Sequence, residues 1–177
     1  MNDIISVSTL KESIRNVPDF PKPGIQFKDI TTALKDPETF QYIVNTISEH
    51  FADKGITKVV AIESRGFIVG GAVAARLNAG FVPIRKPGKL PAAVYKKSYE
   101  LEYGFDALEI HSDALSKNDI ILIHDDLLAT GGTSLAAIDL MRNFNIEKIY
   151  LSFIIELSYL KGREKLTHHK VHSLVQF

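Results

Sequence analysis

The chain has 177 residues, 45% of them hydrophobic and 24% charged, which suits one compact domain with a substantial core. Its 21 basic residues balance 21 acidic ones and it has no cysteine, which argues against a surface devoted to nucleic-acid backbone or acidic membrane and excludes disulfides and thiolate metal sites. The first residues, MNDIISVSTLKESI, lack the basic-then-apolar layout of a signal peptide, and no apolar run reaches the roughly 18 to 20 residues that span a bilayer, so a cytoplasmic protein is expected.

Ile4, Ile5, Val7, Leu10 and Ile14 fall near one helical stripe over residues 3–16, and Pro18 forbids its continuation. PDFPKPGIQF (18–27), with three prolines and a glycine, predicts a stiff extended loop. Asp36-Pro37 reads as a helix cap followed by proline at the first helical position. Phe40, Ile43, Val44, Ile47 and Phe51 then share a face until Gly55. KVVAIE (58–63) predicts a strand, GFIVGGAVAARLN (66–78) a helix of small residues, and FVPIR (81–85) another strand.

An excursion follows. RKPGKLPAAVYKKSYELEYG (85–104) begins with Lys, Pro and Gly and ends with Tyr99, Leu101 and Tyr103 alternating against polar residues, a strand period. ALEIH (107–111) reads as its hairpin partner across Gly104-Phe105-Asp106, and Glu100 and Glu109 as solvated strand acids. The βαβ rhythm returns with a strand over 119–124, a helix from about 132, and KIYLSFIIE (148–156). With no repeat or linker, residues 1–177 are expected to form a single α/β domain: an open, mainly parallel sheet with helices on both faces.

In such sheets ligands bind beyond the carboxyl ends of the strands, where IILIHDDLLATGGTSLAAIDLM (120–141) stops its apolar run at Asp125 and Asp126. Ala129-Thr130-Gly131-Gly132-Thr133 then opens a helix whose unpaired N–H groups and positive end attract an anion. Glycines permit close approach, and the two threonines add hydroxyls. No Walker lysine is present, so a phosphate monoester fits better than a nucleoside triphosphate. The two acids can accept from ribose hydroxyls or help hold hydrated magnesium. The acidic pair alone is equally compatible with an ordinary turn. His124 reads as a satisfied strand-end residue, and His168 and His169 as surface residues.

IILIHDDLLATGGT resembles the phosphoribosyl-pyrophosphate (PRPP) signature of the type I phosphoribosyltransferases, and DDLLATGGT resembles the form found in adenine phosphoribosyltransferases. PDFPKPGIQFKDIT, ESRGF, VPIRKPGKLP, SYELEYG and LKGREKL resemble that family's segments in the same order, from about Pro18 to Phe177. The resemblance implies an enzyme that joins adenine to PRPP, giving AMP and pyrophosphate, with magnesium as cofactor and a homodimer as the assembly.

It also assigns roles. Residues 1–35 become an N-terminal segment and base-binding hood, where Phe27 stacks on adenine and the backbone of Gln26 and Lys28 reads its edge. These two side chains depart from the apolar residue and arginine of the family. Ser64 and Arg65 become a pyrophosphate loop with a non-proline cis peptide. Arg85, Lys86, Lys89 and Tyr103 serve the pyrophosphate from a lid over 85–104, and Glu102 relays a proton with the purine ring, so Glu102 and Arg65 are the catalytic pair. Asp125, Asp126, Ala129, Thr130, Gly131, Gly132 and Thr133 hold the ribose phosphate, and magnesium is held mainly by PRPP and water, with no direct protein ligand. Two alternatives stay open: another purine base (hypoxanthine, guanine or xanthine), and a purine-sensing regulator. The second needs a basic arm, and residues 1–17 contain only Lys11 and Arg15.

Overall fold

A computed structural model of the chain describes residues 5–100 and 105–177. Its centre is a five-stranded parallel sheet of β3 (Lys58–Ile62), β4 (Gly80–Ile84), β7 (Ile120–Leu128), β8 (Lys148–Glu156) and β9 (Lys170–Gln176), in the order β4-β3-β7-β8-β9. Two antiparallel hairpins flank it: β1 (Arg15–Pro18) with β2 (Gln26–Asp29), and β5 (Val94–Glu100) with β6 (Phe105–His111). The expected open parallel sheet with helices on both faces is the fold observed.

Strand alternation distributes the core to both faces. Val59 and Leu122 turn toward α4 (Gly66–Arg76), meeting Val69 and Val73, with α3 (Pro37–Phe51) adding Ile43, Ile47 and Phe51. Val60, Ile121 and Ile123 turn the other way, toward Ala136, Ala137, Leu140 and Met141 of α5 (Gly132–Met141). Each fully buried Val, Leu or Ile side chain among these stabilises the fold by about 1.5–3 kcal/mol. Small residues let α4 lie close to the sheet: a Cβ on Gly70 would come 2.8 Å from the Ala61 Cβ. The cap of α3 is as expected, with the Thr39 N–H donating to Asp36 at 2.8 Å.

Several boundaries differ from expectation. The first helix, α1 (Val7–Ser13), ends before Arg15 because the chain enters β1, and the expected loop 18–27 is flanked by β1 and β2, whose ladder pairs Pro18 with Gln26 and leads into the short α2 (Thr31–Leu34). The excursion hairpin pairs Glu100 with Phe105, so Phe105 and Asp106 belong to β6 rather than to a turn. The run that opens at Ile120 does not stop at the aspartates. β8 continues to bond it as far as Leu128, opposite Glu156. β9 has no counterpart among the elements that the sequence pattern predicts. Glu109 is 7% exposed rather than solvated, and its carboxylate accepts the Gly88 N–H at 2.9 Å.

His124 is fully buried under α4. Its Nδ1 lies 3.4 Å from the Ser152 hydroxyl, and its Nε2 has no hydrogen-bond partner among the described residues. Burial lowers its pKa from 6.5 to about 4, against the opposing effect of Ser152. An unfolded chain therefore binds a proton at His124 that the folded one refuses, and stability falls as pH drops from about 6.5 to 4. In urea unfolding, the wild type should lose stability relative to His124→Leu across that window, at up to about 1.4 kcal/mol per pH unit. Parallel pH profiles for the two proteins would refute the assignment.

Candidate active site

The sheet order reverses direction between β3 and β7: from β3 the chain steps to β4 on one side, and later strands add on the other. This is the switch point at which open α/β sheets bind ligands. The β3–β7 ladder ends at Ala61 and His124, while β7 runs on beside β8. The turn after β3 and the overhanging end of β7 thus enclose a cavity of about 340 Å³, lined by Glu63, Ser64, Arg65, Lys86, Tyr99, Asp125, Asp126 and residues 129–134.

One wall is the start of α5. Gly131 caps the helix with φ +81°, a left-handed conformation that glycine adopts without strain. The first-turn N–H groups have no partner within the helix, and residues 131–134 line the cavity. Behind this loop lies a contact that the motif does not reveal. A Cβ on Gly162 would fall 2.1 Å from the Ala129 carbonyl oxygen, and one on Gly131 would fall 2.7 Å from the Gly162 carbonyl. Arg163 secures that support, donating to Glu156 from Nε at 2.8 Å and to the Val171 carbonyl at 2.9 Å.

The floor is acidic. Asp126 is 5% exposed and pairs with Arg65. Burial and the neighbouring Asp126 charge push the Asp125 carboxyl well above the usual carboxylate range, although the Asp126 N–H and Arg65 pull the other way. Gly66 allows the β3 turn to approach these acids, since a Cβ there would sit 3.0 Å from Asp125 Oδ1. The Glu63–Ser64 peptide is cis.

The opposite wall carries the cations. Glu63, whose side chain is 7% exposed, accepts from Arg85 Nε at 3.1 Å, from the Lys86 N–H at 2.8 Å and from Lys89 Nζ. Burial works to raise its carboxyl, but Lys89, the Lys86 N–H and Arg85 together hold it below the usual range. Lys86 pairs with Asp106. Tyr99, which the sequence marks only as part of a strand period, bridges the walls: its hydroxyl lies 3.3 Å from Asp106 and 3.4 Å from the Thr133 hydroxyl.

The hood stands outside this cavity but touches it. The Phe27 ring lies 5.3 Å from the Arg65 guanidinium and meets Phe20 edge-on at 5.1 Å. The side chains that depart from the family pattern are engaged elsewhere: Gln26 accepts from Asn16 at 2.6 Å, and Lys28 Nζ lies 4.1 Å over the Phe177 ring. Ser64, Arg65, Lys86, both aspartates and residues 129–133 therefore share one cavity. Arg85 and Lys89 join it through Glu63, and Phe27 joins through Arg65. Glu102 and Tyr103 lie outside the described residues.

The Gly162 contact yields a prediction. Gly162→Ala must push the loop at Ala129–Gly131 out of place, because the obstruction is backbone that cannot rotate away. AMP affinity should fall at least about tenfold while far-UV circular dichroism is retained. A folded variant with unchanged AMP affinity would show that the loop does not depend on this support.

Comparison with known proteins places the chain. A family profile described as phosphoribosyl transferase domain matches residues 31–173. An adenine phosphoribosyltransferase from Bacteroides thetaiotaomicron is 59% identical over 160 residues, covering 90% of this chain and 91% of the relative. Among solved structures, the adenine phosphoribosyltransferase of Rhodothermus marinus superposes with a TM-score of 0.92 at 52% identity, covering 97% of this chain and 98% of the other. The Giardia lamblia enzyme, complexed with 9-deazaadenine, gives 0.93 at 42% identity over 98% of each chain. With relatives this similar along nearly its whole length, the chain belongs to the adenine phosphoribosyltransferase family.

Proposed function

We propose that the cavity is where PRPP and adenine react, the 5′-phosphate at the start of α5, the ribose over Asp125 and Asp126, and the pyrophosphate beside Arg65 and the lid. The observation that carries this reading is the opposition of two anion-attracting walls across an acidic floor within one cavity. PRPP has phosphate groups at both ends of a diol, so its charge pattern complements that arrangement.

In this reading the ring nitrogen of adenine forms a bond to the anomeric carbon as the carbon–oxygen bond to pyrophosphate breaks. The departing electron pair stays on pyrophosphate, where Arg65, Arg85, Lys86 and Lys89 stabilise it. The proton lost by the purine passes to Glu102, which the resemblance assigns to this relay. The solved Giardia relative carries a purine analogue, which supports a base site under the hood, with Phe27 stacking on the ring and backbone groups of Gln26 and Lys28 reading its edge. Because both side chains are occupied elsewhere, their departure from the family leaves that backbone reading intact.

Magnesium fits the donor set in an indirect role. Among the described residues no group of three or more His, Asp or Glu could hold a metal ion. Asp126 is committed to Arg65, which leaves Asp125 as a hard oxygen donor nearby. The ion would be held by PRPP and water, and when bound it offsets charge on the leaving pyrophosphate. Ile68 on α4 and Phe81 on the edge strand β4, 48% and 40% exposed, support a homodimer packed on that edge. No helix among the described residues is long and apolar enough to cross a membrane, and a cytoplasmic location suits substrates as highly charged as PRPP.

Purified protein supplied with PRPP, magnesium and each purine base in turn tests the reading. AMP and pyrophosphate should form with adenine at least about a hundredfold faster than products form with hypoxanthine, guanine or xanthine, the discrimination expected of a site that pairs with the exocyclic amine. Equal or faster reaction with another base would overturn the adenine assignment, and no reaction with any base would favour a regulator. Lys86→Ala combined with Lys89→Ala should depress turnover by more than about tenfold with AMP affinity changed less than about twofold, since AMP lacks the pyrophosphate. Equal losses would move these lysines to the nucleotide phosphate or the fold.

A further inference from the structure

Lys86 reaches the cavity from the lid side, and the carboxylate that holds it belongs to Asp106 on β6. Asp106 does not depend on Lys86 for its place. Its Oδ1 accepts the Ala107 N–H at 2.8 Å, and its Oδ2 lies 3.3 Å from the Tyr99 hydroxyl, which Thr133 of the phosphate loop meets at 3.4 Å. Thr133, Tyr99, Asp106 and Lys86 thus form a continuous polar chain from one wall of the cavity to the other.

The other internal pairs of this site are built differently. Glu63 and Asp126 have side chains 7% and 6% exposed, so breaking their bonds to Arg85, Lys89 and Arg65 would strand a buried carboxylate. In the Lys86–Asp106 pair the side chains are 39% and 24% exposed, so water can take over either partner. Of these pairs it is the one that separates at least cost.

We propose that Asp106 is an internal competitor for Lys86. Pyrophosphate engages this lysine by exchange, displacing a carboxylate that stays fixed by Tyr99 and Ala107 and takes the ammonium back when the product leaves. Asp106 acts through Lys86 and is a positioning residue, not a catalytic one. The effect is to weaken retention of pyrophosphate after bond formation without weakening the hold on the ribose phosphate. The proposal rests on the reading of Lys86 as a pyrophosphate ligand.

The test is a double-mutant cycle on the full chain, with inorganic pyrophosphate and magnesium titrated calorimetrically into the wild type, Asp106→Asn, Lys86→Ala and the double variant. Lys86→Ala should weaken binding. Asp106→Asn should tighten it by roughly twofold to fivefold, the range of a partly exposed ion pair, and that gain should disappear when Lys86 is already alanine. A purely structural Asp106 would give weaker binding on substitution. Asp106→Ser repeats the measurement should the asparagine variant fail to fold. Unchanged or weaker binding in Asp106→Asn, or a gain that persists in full without Lys86, overturns the competition while leaving the lysine's role intact. If Lys86→Ala leaves pyrophosphate affinity unchanged, the reading of the lid fails and this inference fails with it.

Discussion

The ion pair between Arg65 and Asp126 is the constraint on which the site depends. It joins the turn after β3 to the overhanging end of β7, across the point where the sheet reverses its order. Asp126 is buried, so its charge is tolerable only with that partner in place. The same guanidinium faces the Phe27 ring, and through it the hood is referred to the cavity. One cation thereby ties the Phe27 ring of the hood to the acidic floor of the cavity. The small residues of α4 serve this arrangement, since Gly66 and Gly70 let the helix and its leading turn lie against β7 and β3.

The electrostatics follow from that geometry. Burial, and after it the adjacent Asp126 charge, raises the pKa of Asp125, and Arg65 only partly offsets them. On the facing wall, cations converge on Glu63 and Asp106 before any substrate charge is considered. Such internal compensation keeps like charges from repelling within a small volume, and it makes anion binding an exchange of partners rather than a simple gain. The backbone N–H groups at the start of α5 have no such internal competitor within the helix, which suits them to the part of the ligand that stays bound throughout.

Much of this was legible in the sequence where one local rule dominates. The Asp36-Pro37 cap, the short apolar strands over 58–63 and 119–124, and the glycine-led entry into α5 each follow from local propensity. The misses have a common physical origin in contacts made by distant chain. Aspartates are poor strand formers, so Asp125 and Asp126 seemed to end β7, yet parallel pairing with β8 carries the strand to Leu128. The alternation of Glu109 with apolar neighbours implied a solvated face, but Gly88 folds over it. Gly162 supports the Ala129–Gly131 loop from a distant part of the sequence, and only its packing against Ala129 and Gly131 reveals why glycine is needed there. The β9 strand, with Lys170, His172 and Ser173 among its residues, has too little apolar period to stand out until β8 is in place beside it.

The central claim is that the helix start at Gly131–Thr133 and the acidic floor at Asp125 and Asp126 hold a single ribose phosphate. A crystal structure of the protein with AMP tests it most directly. The account predicts the 5′-phosphate against the backbone N–H groups of residues 131–133, with the ribose hydroxyls donating to the two aspartates. A phosphate bound instead at the basic turn around Lys161 and Lys165, or a ribose making no contact with either aspartate, would contradict it.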